Sequence, residues 1–312
     1  MLKTHKLMFL VCFAALHPLF PATTFMQEHL DLNQYATTLF RVNPDQSQSW
    51  VQSVHNPARI AAEEKNRLQR NSSPAMSNAE FLSALRAGDQ AHARFDNQAA
   101  LAAYQKALRL DSTHYDVLWK LTRSHVDVGF AAKGRAQKDH YLLAERFARR
   151  CVALYPDSAQ GHFFLAVALG RVALNVGGKQ KVRLSKEIKI AAEHALALDP
   201  RHDGAMHVLG RWHYELANLS WVLRAFAKVL YGGVPPGGHA QAAAWFEKAL
   251  AINPNSPAHH LWLGETLIEL KEHARAQEHL QTCLRLPDLM WDDGRNKKQA
   301  EKALAKIQNK LE

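Results

Sequence analysis

The sequence predicts an all-α fold, a solenoid of about five helical hairpins packed side by side. The first observation is a segment ending that recurs along the chain, in which a small residue and alternating aliphatic residues precede a turn with a proline or its substitute. Four such endings occupy residues 107–112, 151–156, 195–200 and 249–254, and a close variant occupies residues 283–288. Because proline cannot continue a helix, each ending is typical of the point where the second helix of a hairpin stops.

The second observation is the spacing of these endings. The turn positions Ser112, Pro156, Pro200, Pro254 and Asp288 are separated by 44, 44, 54 and 34 residues. A tetratricopeptide hairpin is about 34 residues long, so the spacing leaves insertions of about 10, 10, 20 and 0 residues. Since both helix patterns of the fourth hairpin stay in register with the repeat, we expect the extra residues between the two helices. The spacing predicts a tetratricopeptide-like array with inter-helix insertions.

The packing pattern is clearest in the first and fifth hairpins. In the fifth hairpin, Gly264 is the small residue at which we expect two helices to cross closely. Three residues of the second helix face it at the helical spacing i, i+4, i+7, namely Ala276, Leu280 and Cys283. The matching residues of the first hairpin are Gly88, Ala100, Tyr104 and Ala107.

The fourth hairpin contains the longest insertion. Residues 210–231 read as one long apolar helical stretch, closed by the glycine- and proline-rich residues 232–238. Within it, residues 216–230 predict an extra amphipathic helix wedged into the array, since a membrane-spanning helix needs about 20 apolar residues. Its polar face carries Ser220, Arg224 and Lys228, and its apolar face carries Leu219, Leu223, Phe226 and Leu230.

The ends of the chain complete the predicted organisation. Residues 292–311 predict a charged capping helix, because a terminal repeat needs a polar outer face. Its apolar stripe consists of Ala300, Ala303, Leu304 and Ile307. Residues 25–76 are polar and contain scattered prolines, which favours a linker. The predicted domains are a signal-like segment at 1–24, this linker, and a repeat domain at 77–312.

The N-terminal segment decides the expected compartment. Its first residues are basic, and an apolar run at residues 7–20 follows, broken only by His17 and Pro18. The run is too short to span a bilayer comfortably and fits a secretory signal. We therefore expect an exported, periplasmic protein. The alternatives are an uncleaved membrane anchor and a cytoplasmic product that starts at Met76.

The charge of the chain points to acidic partners. The formal net charge is +10, with a pI near 9.5, which favours a phospholipid surface, nucleic acid or an acidic protein segment. The basic residues are scattered along the sequence, which also fits an ordinary solvated surface and disfavours nucleic acid.

The sequence offers no pattern for catalysis. Cys151 and Cys283 occupy the small packing position of two hairpins, so we expect buried thiols rather than a disulfide or a nucleophile. The eighteen histidines lack metal-site spacing. Residues 176–181 and 232–238 are glycine-rich but lack the P-loop pattern. We therefore expect no catalytic residue, no metal and no cofactor.

Two groups of residues are candidate contacts. The side of the array's first helices that a tetratricopeptide solenoid turns to its concave surface presents candidate groove contacts at Trp119, Arg123, His207, Arg211, Tyr214 and Trp262. A basic stretch, predicted to be a loop, presents candidate anion contacts at Lys179, Lys181, Arg183 and Lys186. Their ammonium and guanidinium groups could bind phosphates or lipid headgroups as point charges.

The sequence motifs least common among helical-hairpin proteins lie in the fourth hairpin. They are Leu209-Gly-Arg-Trp212, Leu219-Ser-Trp221, Leu230-Tyr-Gly-Gly-Val-Pro-Pro236 and Ala244-Trp-Phe-Glu-Lys-Ala249. With Val117-Leu-Trp-Lys-Leu121 and Ile188-Lys-Ile-Ala-Ala192, they resemble the regulator of microtubule dynamics family, tetratricopeptide proteins of animals with bacterial relatives. The resemblance covers about residues 81–311, three quarters of the chain.

The resemblance implies a tetratricopeptide fold and a binding role. Animal members are associated with microtubules and spindle poles, or with contacts between mitochondria and endoplasmic reticulum, where a lipid-binding groove has been proposed. Our leading hypothesis is a non-catalytic scaffold that binds a protein or peptide in its concave groove. The alternatives are a carrier of a lipid or other hydrophobic small molecule in the superhelical groove, and a microtubule-associated protein as in animal members. The signal-like segment stands where animal members have organelle-targeting regions, which disfavours the microtubule role.

Overall fold

The computed structural model describes residues 75–220, 224–225, 227–229 and 237–308. Residues 224–225 and 227–229 are helical, and eleven other α-helices of the described part are numbered in chain order. They are α1 Ala75–Ala93, α2 Asn97–Leu110, α3 Tyr115–Ala131, α4 Gly134–Leu154, α5 Ala159–Ala173, α6 Gly178–Leu198, α7 Asp203–Ala217, α8 His239–Ile252, α9 Pro257–Glu269, α10 His273–Arg285 and α11 Asp293–Ile307. The predicted signal-like segment at 1–24 and nearly all of the predicted linker at 25–76 lie outside the described residues.

The helices pack as five consecutive hairpins. The pairs are α1 with α2, α3 with α4, α5 with α6, α7 with α8, and α9 with α10. Each second helix also contacts the first helix of the next hairpin, and α11 packs on both helices of the fifth hairpin. The predicted all-α solenoid and its capping helix are confirmed.

Glycine sets the closest helix crossings. A Cβ atom at Gly264 would lie 2.6 Å from Cγ of Leu280, and one at Gly210 would lie 2.6 Å from Cε1 of Phe246. Non-bonded carbons prefer separations of about 3.5–4.0 Å, so neither site has room for a side chain. The first hairpin repeats this arrangement with Gly88 against the ring of Tyr104. The predicted crossing at Gly264 is confirmed.

The faces of the second helices that pack against these crossings form the core. Ala276, Leu280 and Cys283 are fully buried in the fifth hairpin, as are Tyr104 and Ala107 in the first. Cys151 and Cys283 are both unpaired and buried, and burial raises the thiol pKa to about 12 and about 11, respectively. These thiols are protonated at neutral pH and pack as small apolar groups, as predicted.

The extra residues of the second and third hairpins lie elsewhere than predicted. Instead of loops between helices, they lengthen the second helices, because α4 and α6 are 21 residues long. Only two residues separate α3 from α4, and Nε2 of Gln137 ties this turn by donating to the carbonyl oxygens of Gly129 and Ala132. Each added helical residue forms another backbone hydrogen bond without a new nucleation step, so the insertion continues the helix.

The fourth hairpin departs from the predicted continuous helix over residues 210–231. Helix α7 ends at Ala217, and the Arg224 side chain donates to its last two carbonyl oxygens, those of Leu216 and Ala217, and to that of Leu219 beyond the helix. A cation at a helix C-terminus satisfies carbonyl groups that have no helical partner and complements the helix dipole. The predicted wedge helix at 216–230 falls partly outside the described residues. Among those that are described, no helix combines the length and apolar character needed to cross a membrane.

Candidate binding surface

The first helices of hairpins two to five form one continuous surface. Helices α3, α5, α7 and α9 contact one another in that order, in addition to their contacts with the second helices. In a solenoid, such stacking creates an extended concave surface for binding. We call the side chains on these four helices that meet between hairpins the first-helix surface. It includes all six predicted groove contacts, namely Trp119, Arg123, His207, Arg211, Tyr214 and Trp262.

Arg211 and Trp262 connect the fourth hairpin to the fifth. The guanidinium carbon of Arg211 lies 3.4 Å from the ring centroid of Trp262, and the Tyr214 ring meets that indole edge-on at 5.4 Å. Nη2 of Arg211 donates to Oε1 of Glu215 at 2.8 Å. Burial lowers the pKa of Arg211, but an arginine remains protonated in proteins. Stacking on the indole therefore holds a positive charge in one orientation.

Trp119 and Arg123 make a similar group on the second hairpin. The Trp119 ring stacks on Phe164 of α5 at 5.5 Å with an interplanar angle of 12°, and its Nε1 donates to Oδ1 of Asp116 at 3.0 Å. The Arg123 guanidinium carbon lies 5.1 Å from the Trp119 ring, and Nη2 donates to the Tyr104 hydroxyl at 3.2 Å. Trp119 thus joins two hairpins through Phe164 and also contacts a cation on its own helix.

His207 belongs to a hydrogen-bonded chain of three side chains. Its Nδ1 lies 2.9 Å from Nδ1 of His259, whose Nε2 lies 3.1 Å from Oδ2 of Asp203. Burial lowers the pKa of His207 well below its ordinary value, whereas the hydrogen bond from His259 lowers the pKa of Asp203. At neutral pH, His207 is therefore a neutral imidazole and Asp203 is an ionised carboxylate. The sequence did not reveal this chain, because its members come from two different hairpins.

Arg171 of α5 also belongs to the first-helix surface, although the sequence did not predict it. Its guanidinium carbon lies 5.1 Å from the Phe130 ring centroid, and that of Arg295 lies 4.3 Å from the same ring. The Trp291 ring meets Phe130 edge-on at 5.2 Å. The segment before α11 therefore reaches the end of α3, far back along the array. Only the winding of the stacked hairpins brings these residues together, and no local motif reports it.

Asp127 of α3 adds a hydrogen bond to the contact between Trp291 and Phe130. Its carboxylate accepts a hydrogen bond from Trp291 and is 7% exposed. Burial raises the pKa of Asp127 to about 6, because a carboxylate loses hydration in the interior. Asp292 lies nearby, and burial raises the pKa of that carboxyl group as well.

The predicted anion contacts lie on a helix rather than in a loop. Lys181, Arg183 and Lys186 are exposed residues in the first half of α6, and the side chain of Lys179 lies outside the described part. Nε of Arg183 lies 3.5 Å from Oε1 of Glu187. Since the helix begins at Gly178, these residues project from successive helical turns and do not gather around one point. They are also on a second helix and do not join the first-helix surface.

Guanidinium groups and aromatic rings recur along the first-helix surface, and both can bind anions and planar groups. Within the described residues, no three His, Cys, Asp or Glu side chains are grouped so that they could hold a metal ion.

Comparison with known proteins agrees with this structure. The family model described as regulator of microtubule dynamics protein 1-3 matches residues 84–308. Regulator of microtubule dynamics protein 1 from Bos taurus is 29% identical over 163 residues, covering 51% of this chain and 51% of that protein. Regulator of microtubule dynamics protein 3 from Bos taurus is 28% identical over 189 residues, covering 60% of this chain and 40% of that protein. The chain therefore spans about half the length of the curated relatives it matches, or less.

The solved structures support the fold alone. The crystal structure of TTC0263, a thermophilic TPR protein of Thermus thermophilus, has a TM-score of 0.56 and 17% sequence identity. The match covers 72% of this chain and 99% of that one. At this level of identity, the likeness extends to the stacked helical hairpins and to nothing more specific.

Proposed function

The chain belongs to the regulator of microtubule dynamics family, and we propose that it is a non-catalytic scaffold that binds a protein partner on its first-helix surface. The observation that carries the proposal is the stack of Arg211 on Trp262, at 3.4 Å across two hairpins. Aromatic residues and arginine are the residue types that dominate binding energy at protein interfaces. Here they are held rigid and stay partly accessible, since the Arg211 side chain is 36% exposed.

Site-specific cross-linking tests this proposal. A photoreactive phenylalanine derivative replaces Glu215 on the first-helix surface or Glu193 on α6. The two positions are well matched, because each glutamate is exposed and pairs with a cation one helical turn earlier, Arg211 or Lys189. We expect adducts to a protein at position 215 and none at position 193, as read by mass spectrometry. Equal adducts at both positions, or none at position 215, would contradict the proposal.

The two alternative functions have their own measurements. Native mass spectrometry of the purified chain distinguishes the scaffold from a lipid carrier, since a stoichiometric lipid mass would favour the carrier. Co-sedimentation with assembled microtubules tests the role suggested by the names of the relatives. Our proposal expects an apo mass and no sedimentation.

A further inference from the structure

Two arginines of the first-helix surface have buried N–H groups that lack acceptors, and the side chain of a third donates no hydrogen bond to the described residues. Nε of Arg123 and Nε of Arg211 are buried without a hydrogen-bond partner among the described residues. Arg171 contacts the face of Phe130, and no carboxylate or carbonyl oxygen of the described residues accepts a hydrogen bond from its guanidinium group. A buried donor left without an acceptor costs about 1–3 kcal/mol. Such donors are rarely left unpaired in a folded protein.

The acidic groups nearby do not balance these cations. Arg123, Arg171, Arg211 and Arg295 carry four positive charges around the surface. The carboxylates that interact with them include those of Asp127, Glu215 and Asp292. Asp89 shares the Tyr104 hydroxyl with Arg123, but its carboxylate is paired with Lys120 at 2.7 Å. Glu215 is engaged by Arg211 at 2.8 Å, and three carboxylates therefore face four guanidinium groups. The centre of the surface therefore carries excess positive charge.

We propose that Arg123, Arg171 and Arg211 bind the carboxylates of an acidic, extended segment of the protein partner. This inference rests on the proposed scaffold function and states the chemistry of the partner. Arginine pairs with carboxylates through two parallel hydrogen bonds, which gives both direction and strength. Two of the three guanidinium groups are stacked or placed over indole rings, those of Trp119 and Trp262. Such stacking reduces the conformational entropy lost when the partner binds.

The positions of the arginines set the spacing of the acidic residues. Arg123 and Arg211 are the ninth residues of α3 and α7, whereas Arg171 is the thirteenth residue of α5. Neighbouring helix axes lie about 8–10 Å apart, and four helical residues rise about 6 Å. Successive arginines are thus separated by about 11 Å. A chain in the polyproline II conformation advances about 3.1 Å per residue with about three residues per turn. Acidic residues three positions apart then lie on one face and reach successive guanidinium groups.

Fluorescence anisotropy on the full chain tests the inference. The probe is a fluorescein-labelled Ser/Gly peptide with three glutamates, one at every third position, and the comparison peptide carries the same three glutamates side by side. We expect the spaced peptide to bind several-fold more tightly. Arg171→Gln should weaken binding by about tenfold or more, because a charge-assisted pair is lost. The control Arg183→Gln changes an exposed arginine of α6 and should stay within about twofold.

The choice of variant keeps the test independent of folding. The Arg171 side chain donates no hydrogen bond to the described residues, so Arg171→Gln removes only its contact with the Phe130 ring and should change the melting temperature little, whereas Arg211→Gln removes a hydrogen bond to Glu215 as well as the stack on Trp262. Equal binding of both peptides, or equal losses in the Arg171 and Arg183 variants, would overturn the inference. The inference would also be overturned if Arg171→Gln weakened binding to phosphatidic acid vesicles more than it weakened binding to the peptide.

Cross-linking at position 215 separates this inference from the scaffold function on which it rests. The same protein adduct at equal yield in the wild type and in Arg171→Gln would leave the scaffold standing and reject acidic recognition. Absence of any adduct in the wild type would reject the scaffold itself.

Discussion

The imidazole rings of His125 and His140 face each other with their Nδ1 atoms 3.0 Å apart, across the interface of α3 and α4. Two more such pairs occur in the described part, His207 with His259 at 2.9 Å and His260 with His279 at 3.0 Å. Each distance fits a hydrogen bond in which one neutral ring donates and the other accepts. Burial lowers the pKa of five of these rings, those of His125, His140, His207, His260 and His279, because the interior disfavours the charged form. The folded protein therefore favours neutral imidazoles at these positions.

The histidine pairs predict a loss of stability in mild acid. Burial lowers the pKa of His125 to about 3, whereas an unfolded histidine titrates near about 6.5. The folded state binds fewer protons, so its stability is fully present above about pH 6.5 and declines as the pH falls towards about 3. For His125, the free energy of unfolding should fall by about 1.4 kcal/mol per pH unit within this window. Urea melts at a series of pH values measure this.

The matched variants for this test are His125→Phe and His194→Gln. His125 is 1% exposed and stacks on Phe147 at 5.6 Å, so phenylalanine keeps the ring while removing the titrating group. We expect a shallower pH dependence in His125→Phe. His194 is exposed, and its variant should follow the wild-type curve. If both variants track the wild type, the buried pair does not contribute to acid sensitivity.

A second prediction compares two helical glycines. In Gly264→Ala the new methyl group would lie 2.6 Å from Cγ of Leu280, while a Cβ atom at Gly170 of α5 would meet nothing within 4 Å. Overpacking should cost about 1–3 kcal/mol at Gly264. At Gly170, alanine should stabilise the protein by about 0.5–1 kcal/mol, because it reduces the entropy of the unfolded chain. Thermal denaturation of both variants measures these changes in stability. A higher melting temperature in both variants would mean that the helix crossing at Gly264 can relax.

The glycine contacts and the histidine pairs show what the sequence could and could not predict. The repeat period assigns Gly264 and Leu280 to facing helices, so their contact follows from register alone. It does not report which polar side chains meet between hairpins, such as His207 and His259, because the rotation of each helix is set by packing. It also cannot place Trp291 on Phe130, since that contact depends on twist accumulated over several hairpins. The chemical nature of the inner side chains was predictable, but their pairing was not.

A third prediction concerns the two buried cysteines. Burial raises the pKa of Cys151 to about 12 and of Cys283 to about 11, and only the thiolate reacts with alkylating agents. We expect labelling of both residues by iodoacetamide at neutral pH to be slow in the native protein and complete in denaturant. Peptide mass spectrometry assigns the label to each site. Rapid native labelling of either residue would show that its hairpin opens locally.

The last prediction tests the contact that joins the C-terminal segment to α3. Trp291→Phe keeps an aromatic ring against Phe130 but removes the N–H that donates to Asp127. The carboxyl group is buried, and its pKa is raised to about 6, above the value of about 3.8 from which it starts. Since the folded state binds the proton more tightly, ionisation of Asp127 lowers stability as the pH rises through about 6. The lost hydrogen bond served the ionised form.

The loss in the free energy of unfolding caused by Trp291→Phe should therefore grow with pH. We expect a small loss of stability at pH 5, where Asp127 is largely protonated, and a loss of about 1–3 kcal/mol at pH 8, where a buried carboxylate has lost a donor. Urea denaturation at the two pH values measures the difference. In the background of Asp127→Asn, which cannot ionise, the cost of Trp291→Phe should become independent of pH. A cost that is the same at both pH values with Asp127 present would show that Trp291 contributes through its ring contact with Phe130 alone.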